Sequence, residues 1–332
     1  MIGRNMDAKK GTKCLSLLAV ILLTTVLNGC SINTLVANAL TGDGASAVFT
    51  GDSDPELVGA ALPFAIKMYE ALLYATPGHQ GLMLTTGSLF VMYANAFVQG
   101  PAERLDPFYY ADERHAALDR ARNLYLRGHR ILLDALERRH RGFASVAESF
   151  ARDAEREGDM RRFLQRFRAR DVPFLYWTVL SGLAAFSISP QDLELSRQLS
   201  NWHLMIERAF ELDPDFGGAS LDEFLVLYFA SLPLLMGRDV ERARFHFYRA
   251  MEKTGWTSTG ALISYAASIS IRQDEGVFDV DTFRERLDMV LGIDPDDNPA
   301  TRLVTILDQR RARWMLDNIY ELFPSFIMFP DG

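Results

Sequence analysis

One spacing recurs along this chain and limits its fold more than any other feature. Ala65-x3-Tyr69-x2-Leu72-x4-Pro77 sets a small residue, a bulky one four positions on, an apolar one three further, and a helix terminator five beyond that. Trp202-x3-Ile206-x2-Ala209-x4-Pro214, Ala243-x3-Phe247-x2-Ala250-x4-Gly255 and Phe283-x3-Leu287-x2-Val290-x4-Pro295 repeat the frame. Residues four and seven apart share one face of an α-helix, and small side chains there let a second helix close against it. The last three terminators stand 41 and 40 residues apart, so the pattern predicts stacked helical hairpins.

That frame is similar to the one used by tetratricopeptide (TPR) units, whose period is about 34 residues. The longer period predicts an all-α chain built as a degenerate TPR-like helical hairpin array, an α-α superhelix with elongated helices; a generic stack of hairpins reusing the frame is the alternative. Helical periodicity and punctuation place helices at about 55–75, 80–98, 112–140, 144–169 with a break near Gly158, 174–187, 191–212, 219–236, 239–254, 259–272, 280–292 and 299–323. Asp54 is an N-cap for the first of these, with Pro55 suited to its first position and Glu56 to the positive end of its dipole. Pro63 predicts a kink or a restart after Leu62. No alternating run predicts a strand.

The N-terminus has a different character. Arg4, Lys9, Lys10 and Lys13 precede an uncharged run from Cys14 to Leu27, the basic and apolar regions of an export signal. The run is shorter than the ~20 apolar residues a spanning helix needs. It ends in Leu27-Asn28-Gly29-Cys30, which resembles the lipobox of bacterial lipoproteins, with cleavage between Gly29 and a lipid-modified Cys30. Asn28 departs from the common form; a plain secretory signal with a chance cysteine is the alternative. The expected organisation is a signal peptide at 1–29, a Gly-, Ala- and Ser-rich tether at 30–53, a helical domain at 54–323 and a tail at 324–332. Cleavage leaves Cys30 without a thiol partner, so no disulfide or CxxC zinc site is expected. It also removes four basic residues and Asp7, lowering the net charge from −8 to about −11. That surplus of acid argues against nucleic acid as a partner, and acyl chains at Cys30 would hold the protein to a membrane without spanning it.

Between Arg138 and Asp171 ten arginines gather in an otherwise acidic chain. They read either as a solvated helical insertion balanced by Glu148, Asp153, Glu155, Glu157 and Asp159, or as a docking face for an acidic partner. Catalytic constellations are not found: HExxH, GxSxG and GxxxxGK[ST] are missing, and Gly42-Asp43-Gly44-Ala45-Ser46-Ala47 lacks the strand and helix a dinucleotide site needs. It reads as a loop. His79, His115, His129, His140, His203 and His246 form no metal-ligand pair and read as surface or satisfied packing residues; Asp294, Asp296 and Asp297 lack the glycine and glutamate of a calcium loop. No catalytic residue, metal or cofactor is therefore expected. Of the clustered aromatics most belong to the core, while Tyr176 and Trp177 are candidates for lining an apolar groove.

Longer stretches carry a resemblance. Asp52-Ser53-Asp54-Pro55-Glu56-Leu57-Val58, Ala61-Leu62-Pro63-Phe64, Glu70-Ala71-Leu72-Leu73 and Tyr93-Ala94-Asn95-Ala96-Phe97-Val98 resemble the N-terminal half of the TatT family. Tyr176-Trp177-Thr178, Glu207 to Pro214, Arg242-Ala243-Arg244, Arg311-Ala312-Arg313-Trp314 and Glu321-Leu322-Phe323 continue it over most of the mature chain. TatT proteins are TPR-containing lipoproteins associated with tripartite ATP-independent periplasmic (TRAP) transporters. The resemblance implies a periplasmic homotrimer that associates with the transporter's solute-binding protein, and a non-enzymatic scaffold. A carrier sheltering an apolar small molecule in a helical groove or oligomer pore is the alternative function.

Overall fold

The computed structural model describes residues 43–232, 237–272 and 276–323. The expected signal at 1–29 with Gly29 and Cys30, the tether up to residue 42, the tail 324–332 and the end of the helix expected at 219–236 lie outside them. The described chain is all-α apart from two strands of two residues each.

The first long helix begins where its sequence says it should. The Asp54 carboxylate accepts from the Leu57 amide at 2.9 Å and Pro55 occupies the first turn, where its missing N–H costs no ladder bond. In chain order the helices are α1 (Asp43–Thr50), α2 (Pro55–Ala75), α3 (Gln80–Ala94), α4 (Gly100–Glu103), α5 (Ala111–Arg139), α6 (Phe143–Arg152), α7 (Glu157–Leu164) and α8 (Val172–Ile188). Then come α9 (Leu193–Arg197), α10 (Leu199–Leu212), α11 (Ser220–Ser231), α12 (Val240–Lys253), α13 (Thr259–Ser268), α14 (Val280–Gly292), α15 (Arg302–Asp317) and α16 (Ile319–Leu322). Strands β1 (Ile271–Arg272) and β2 (Val277–Phe278) pair antiparallel between α13 and α14.

Several expectations change. The break expected near Gly158 falls at Asp153, with Gly158 inside α7, and the helix expected at 299–323 is divided at Asn318 into α15 and α16. The Gly- and Ala-rich stretch read as tether and loop carries α1, which packs on α15 and so gains a partner that local sequence does not reveal. Residues 271–272, expected at the end of a helix, are strand. The helix expected at 191–212 is divided at Gln198 into α9 and α10. Of the two outcomes expected at Pro63, the restart does not occur: α2 runs through it, with Leu62, Ala65, Ile66 and Tyr69 on either side buried in one continuous face.

Packing follows the chain. Helix α2 lies on α3, α3 on α5, α5 on α8 and α8 on α10; further on, α11 contacts α12 and α13, and α13, α14 and α15 contact one another. Helices α6 and α7 form an appended pair against α10. The repeat frame marks the buried face: Ala65, Tyr69, Trp202, Ile206, Ala209, Ala243, Phe247, Ala250, Phe283, Leu287 and Val290 are buried, Leu72, Pro214 and Pro295 half-buried, and Pro77 exposed. The small residues matter most where helices meet closely. A Cβ on Gly182 of α8 would come within 2.3 Å of the Trp202 ring, and one on Gly128 of α5 within 2.8 Å of the Gly87 carbonyl of α3.

Two buried polar centres fix the hairpins. His129 on α5 has its Nδ1 3.0 Å from the Thr178 carbonyl and 2.9 Å from the Ser181 hydroxyl of α8. On α11, Asp222 is fully buried and accepts from His246 Nδ1 at 2.8 Å, Arg249 Nε at 3.2 Å and Lys253 Nζ at 2.7 Å, all on α12. Finally α15 returns to the start of the chain: Arg310 Nη2 donates to Glu56 Oε2 at 3.2 Å, and Arg302 Nη1 to the Gly51 carbonyl at 2.9 Å.

Candidate functional site: an apolar cavity where the chain ends meet

The return of α15 leaves a space behind it. Between α1, α2, the end of α3, α13 and α15 lies a cavity of about 380 Å³, within the size range of small-molecule sites. The inner face of α2 supplies Val58 and Leu62, α3 supplies Leu89 and Met92, and α15 supplies Leu303, Leu307 and Met315. These are apolar because the same helices bury that face elsewhere against neighbours; here no side chain fills the gap.

The wall contributed by residues 95–100 is unusual. Asn95–Gln99 form a single π-helical turn, a widening that often accompanies functional sites. Pro101 follows, with no N–H to give to the Phe97 carbonyl and a ring that would press on it, and the widened turn is where the helix absorbs it. The turn sets Asn95, Ala96 and Phe97 on the cavity. The Phe97 ring rests on α2 where a Cβ at Gly59 would come within 2.7 Å of it. Beneath the turn, Tyr125 Oη donates to Gln99 Oε1 at 2.6 Å and Gln99 Nε2 donates to Glu103 Oε1 at 2.6 Å.

Charge gathers on one side of this space. Arg104, half-buried, and Arg311, exposed, line it together with Glu103 and Asp308. Burial, then repulsion from Arg311 and Arg310, pulls the Arg104 guanidinium down from its ordinary value. Burial pushes the Asp308 carboxyl up, opposed by the Thr259 hydroxyl that donates to it at 2.6 Å and by Arg311. Behind it, burial likewise raises Glu223, which accepts from the Ser258 hydroxyl at 2.6 Å. Among the described residues neither Arg104 nor Arg311 has an ion-pair partner.

The cavity was not read from the sequence. Tyr176 is buried and Trp177 half-buried, in a ring cluster with Phe216 and Phe224, and neither lines it. The arginine-rich segment is largely paired within itself: Arg152 with Glu148, Arg161 with Glu157, Arg162 with Asp159, and Arg139 with the buried Asp171. Among the histidines, His79 caps α3 by accepting from the Leu82 amide at 3.1 Å, and His203 lies 3.0 Å from the Tyr228 hydroxyl.

Two exposed features complete the surface. Pro55–Ala75, Gln80–Glu103 and Ala169–Ile188 are long and apolar enough to cross a membrane by length and composition; the last two bury more than half of their apolar windows in the fold, the first only 28%. On the outer side of α2, Leu57, Ala61, Phe64, Met68, Ala71 and Ala75 are all exposed at alternating spacings of four and three. Before α5, Phe108, Tyr109 and Tyr110 stand exposed in succession on a turn held by Asp106, whose carboxylate accepts from the Phe108 and Tyr109 amides.

The sequence profile described as TRAP transporter T-component matches residues 51–323. An uncharacterized protein of Treponema pallidum (strain Nichols) is 36% identical over 276 residues, which span 83% of this chain and 82% of that protein.

Proposed function

The chain belongs to the TRAP transporter T-component family, and from that membership we propose that it is a lipid-anchored periplasmic accessory component of a TRAP-type uptake system that docks the solute-binding protein and catalyses no reaction. The observation that carries this reading is the extent of the match, which runs over the helical array from the end of α1 through α16. The reading takes the array as degenerate TPR-like hairpins, a construction that offers long binding surfaces. Exposed Phe108, Tyr109 and Tyr110 suit it, since large aromatics commonly anchor protein interfaces. Cys30 at the end of the apolar run supports the anchor.

Self-association as a homotrimer belongs to the same proposal. The apolar line on α2 has the 3.5-residue spacing of a coiled-coil seam, and its bulky Leu57, Phe64 and Met68 share it with Ala61, Ala71 and Ala75, which leave room for side chains from a second copy. Phe64, exposed at 76%, is the largest side chain on that line, and contiguous exposed apolar surface of this kind commonly marks interaction sites.

The test is to mix the purified protein with the solute-binding protein of its own transport system and measure mass by light scattering. A heavier complex, weakened by Tyr109→Ala, is expected; no complex, with lipidated protein as well, sinks the docking reading. Cys30→Ser should release the protein from membranes, and a variant that stays bound would remove the anchor from the proposal. A second reading, carriage of an apolar small molecule, is favoured by the cavity.

A further inference from the structure

The carrier reading leaves open what chemistry the cavity would accept. Its walls are mostly apolar, so a small inorganic anion would leave them uncovered. A neutral hydrocarbon would cover the walls and leave two guanidiniums on one side without an ion-pair contact. Of the carboxylates beside them, Asp308 is pushed by burial toward its neutral form, against Arg311, and Glu103 accepts from Gln99; neither stands in ion-pair contact with a guanidinium of the lining. Arginine keeps its proton under all ordinary conditions, so both guanidiniums stay charged. The half-buried Arg104 and the exposed Arg311 place that charge toward the opening, with the apolar walls behind it.

We propose that the cavity binds an amphipathic carboxylate, its hydrocarbon chain against Leu62, Met92 and Leu307 and its carboxylate between Arg104 and Arg311. The assignment rests on the carrier reading and adds a charge requirement to it. A carboxylate shared by two guanidiniums gains charge-assisted hydrogen bonds in a setting partly removed from water. An alcohol of the same length gains only the burial of its chain.

Calorimetric titration of the purified, lipid-stripped protein with dodecanoate, dodecanol and dodecyltrimethylammonium separates the possibilities. Dodecanoate is expected to bind one per chain, about tenfold or more tighter than dodecanol, with the trimethylammonium the weakest. Arg104→Gln combined with Arg311→Gln should remove that preference while dodecanol still binds, which also reports an intact fold. Arg311→Gln alone, at an exposed position, should lower it. Ala96→Trp fills the cavity and should abolish binding of every probe. Equal affinity for dodecanoate and dodecanol, or a preference that survives the arginine variants, overturns the head-group assignment and leaves a carrier of neutral molecules. Binding of none of the probes overturns the carrier reading with it, and leaves docking of the solute-binding protein to its own test.

Discussion

Acidification from pH 7 to 5 should cost this fold about 2 kcal/mol through one histidine. His129 is buried between α5 and α8, against the Trp202 ring at 5.8 Å. Burial lowers its pKa from 6.5 to about 4, against the opposing hydrogen bond to the Thr178 carbonyl. The unfolded chain therefore takes up a proton as pH falls through about 6.5, whereas the folded protein does so only near 4. Stability from this residue is full above pH 6.5 and is lost progressively down to pH 4, about 3 kcal/mol in all at 1.36 kcal/mol per unit. Roughly 2 of that falls between pH 7 and 5. Glu223 and Asp308, raised by burial, act with the opposite sign, so the comparison must be with a variant. His129→Asn keeps an N–H where Nδ1 stands and does not titrate. Urea midpoints followed by tryptophan fluorescence at pH 7, 6 and 5 should fall more steeply for the native protein than for the variant. Parallel curves would exclude His129 as the source of the loss.

Other expectations concern packing and assembly. Asp222→Asn removes the buried one of the two carboxylates that pair with Arg249 and Lys253, leaving only the exposed Asp215, and should cost about 2–3 kcal/mol in a denaturation measurement at neutral pH. Burial pushes the Asp222 carboxyl up, but its bonds from His246 and Lys253 outweigh this and hold it low, so the native protein keeps this contribution until pH falls below the ordinary aspartate range. Gly182→Ala drives a methyl into the Trp202 ring; strain of about 1–3 kcal/mol against a helix gain of about 1 leaves a net loss in thermal melts. Phe64→Glu places a charge in the α2 seam and should reduce an oligomer to monomer in light scattering with the helical circular dichroism unchanged.

What local sequence specifies and what it leaves out divide along a physical line. The caps and periods of α2, α5, α12 and α14 are set within a few residues, and their limits are close to the spans expected at 55–75, 112–140, 239–254 and 280–292. The repeat frame picks out buried faces because the same spacing that makes a helical stripe makes a contact. The cavity was invisible because its walls come from α2 and α15, some 250 residues apart, and no periodicity encodes an unfilled gap. Helix α1 was missed for a related reason: its short, Gly-bearing sequence has little propensity of its own and is held by α15. Tyr176 and Trp177 drew attention as bulky neighbours, but on a helix apolar on nearly every side bulk says nothing about which side is open. The π-turn had one available signal, Pro101 inside an otherwise helical run.

The bond from Arg310 to Glu56 has a bearing on how the protein comes apart. In an open solenoid each unit leans only on its neighbours, and the outermost ones peel away first. Here the last long helix packs on α1 and α2, so within the described residues neither end of the array is a free edge from which unravelling can begin. Closure across most of the chain also requires a long loop to be gathered before its contacts form, which slows folding relative to a stack of local hairpins. Hydrogen exchange should then find α2 and α15 opening together and not in sequence. Removing residues 302–323 should loosen α1 and α2 as much as the neighbouring α14.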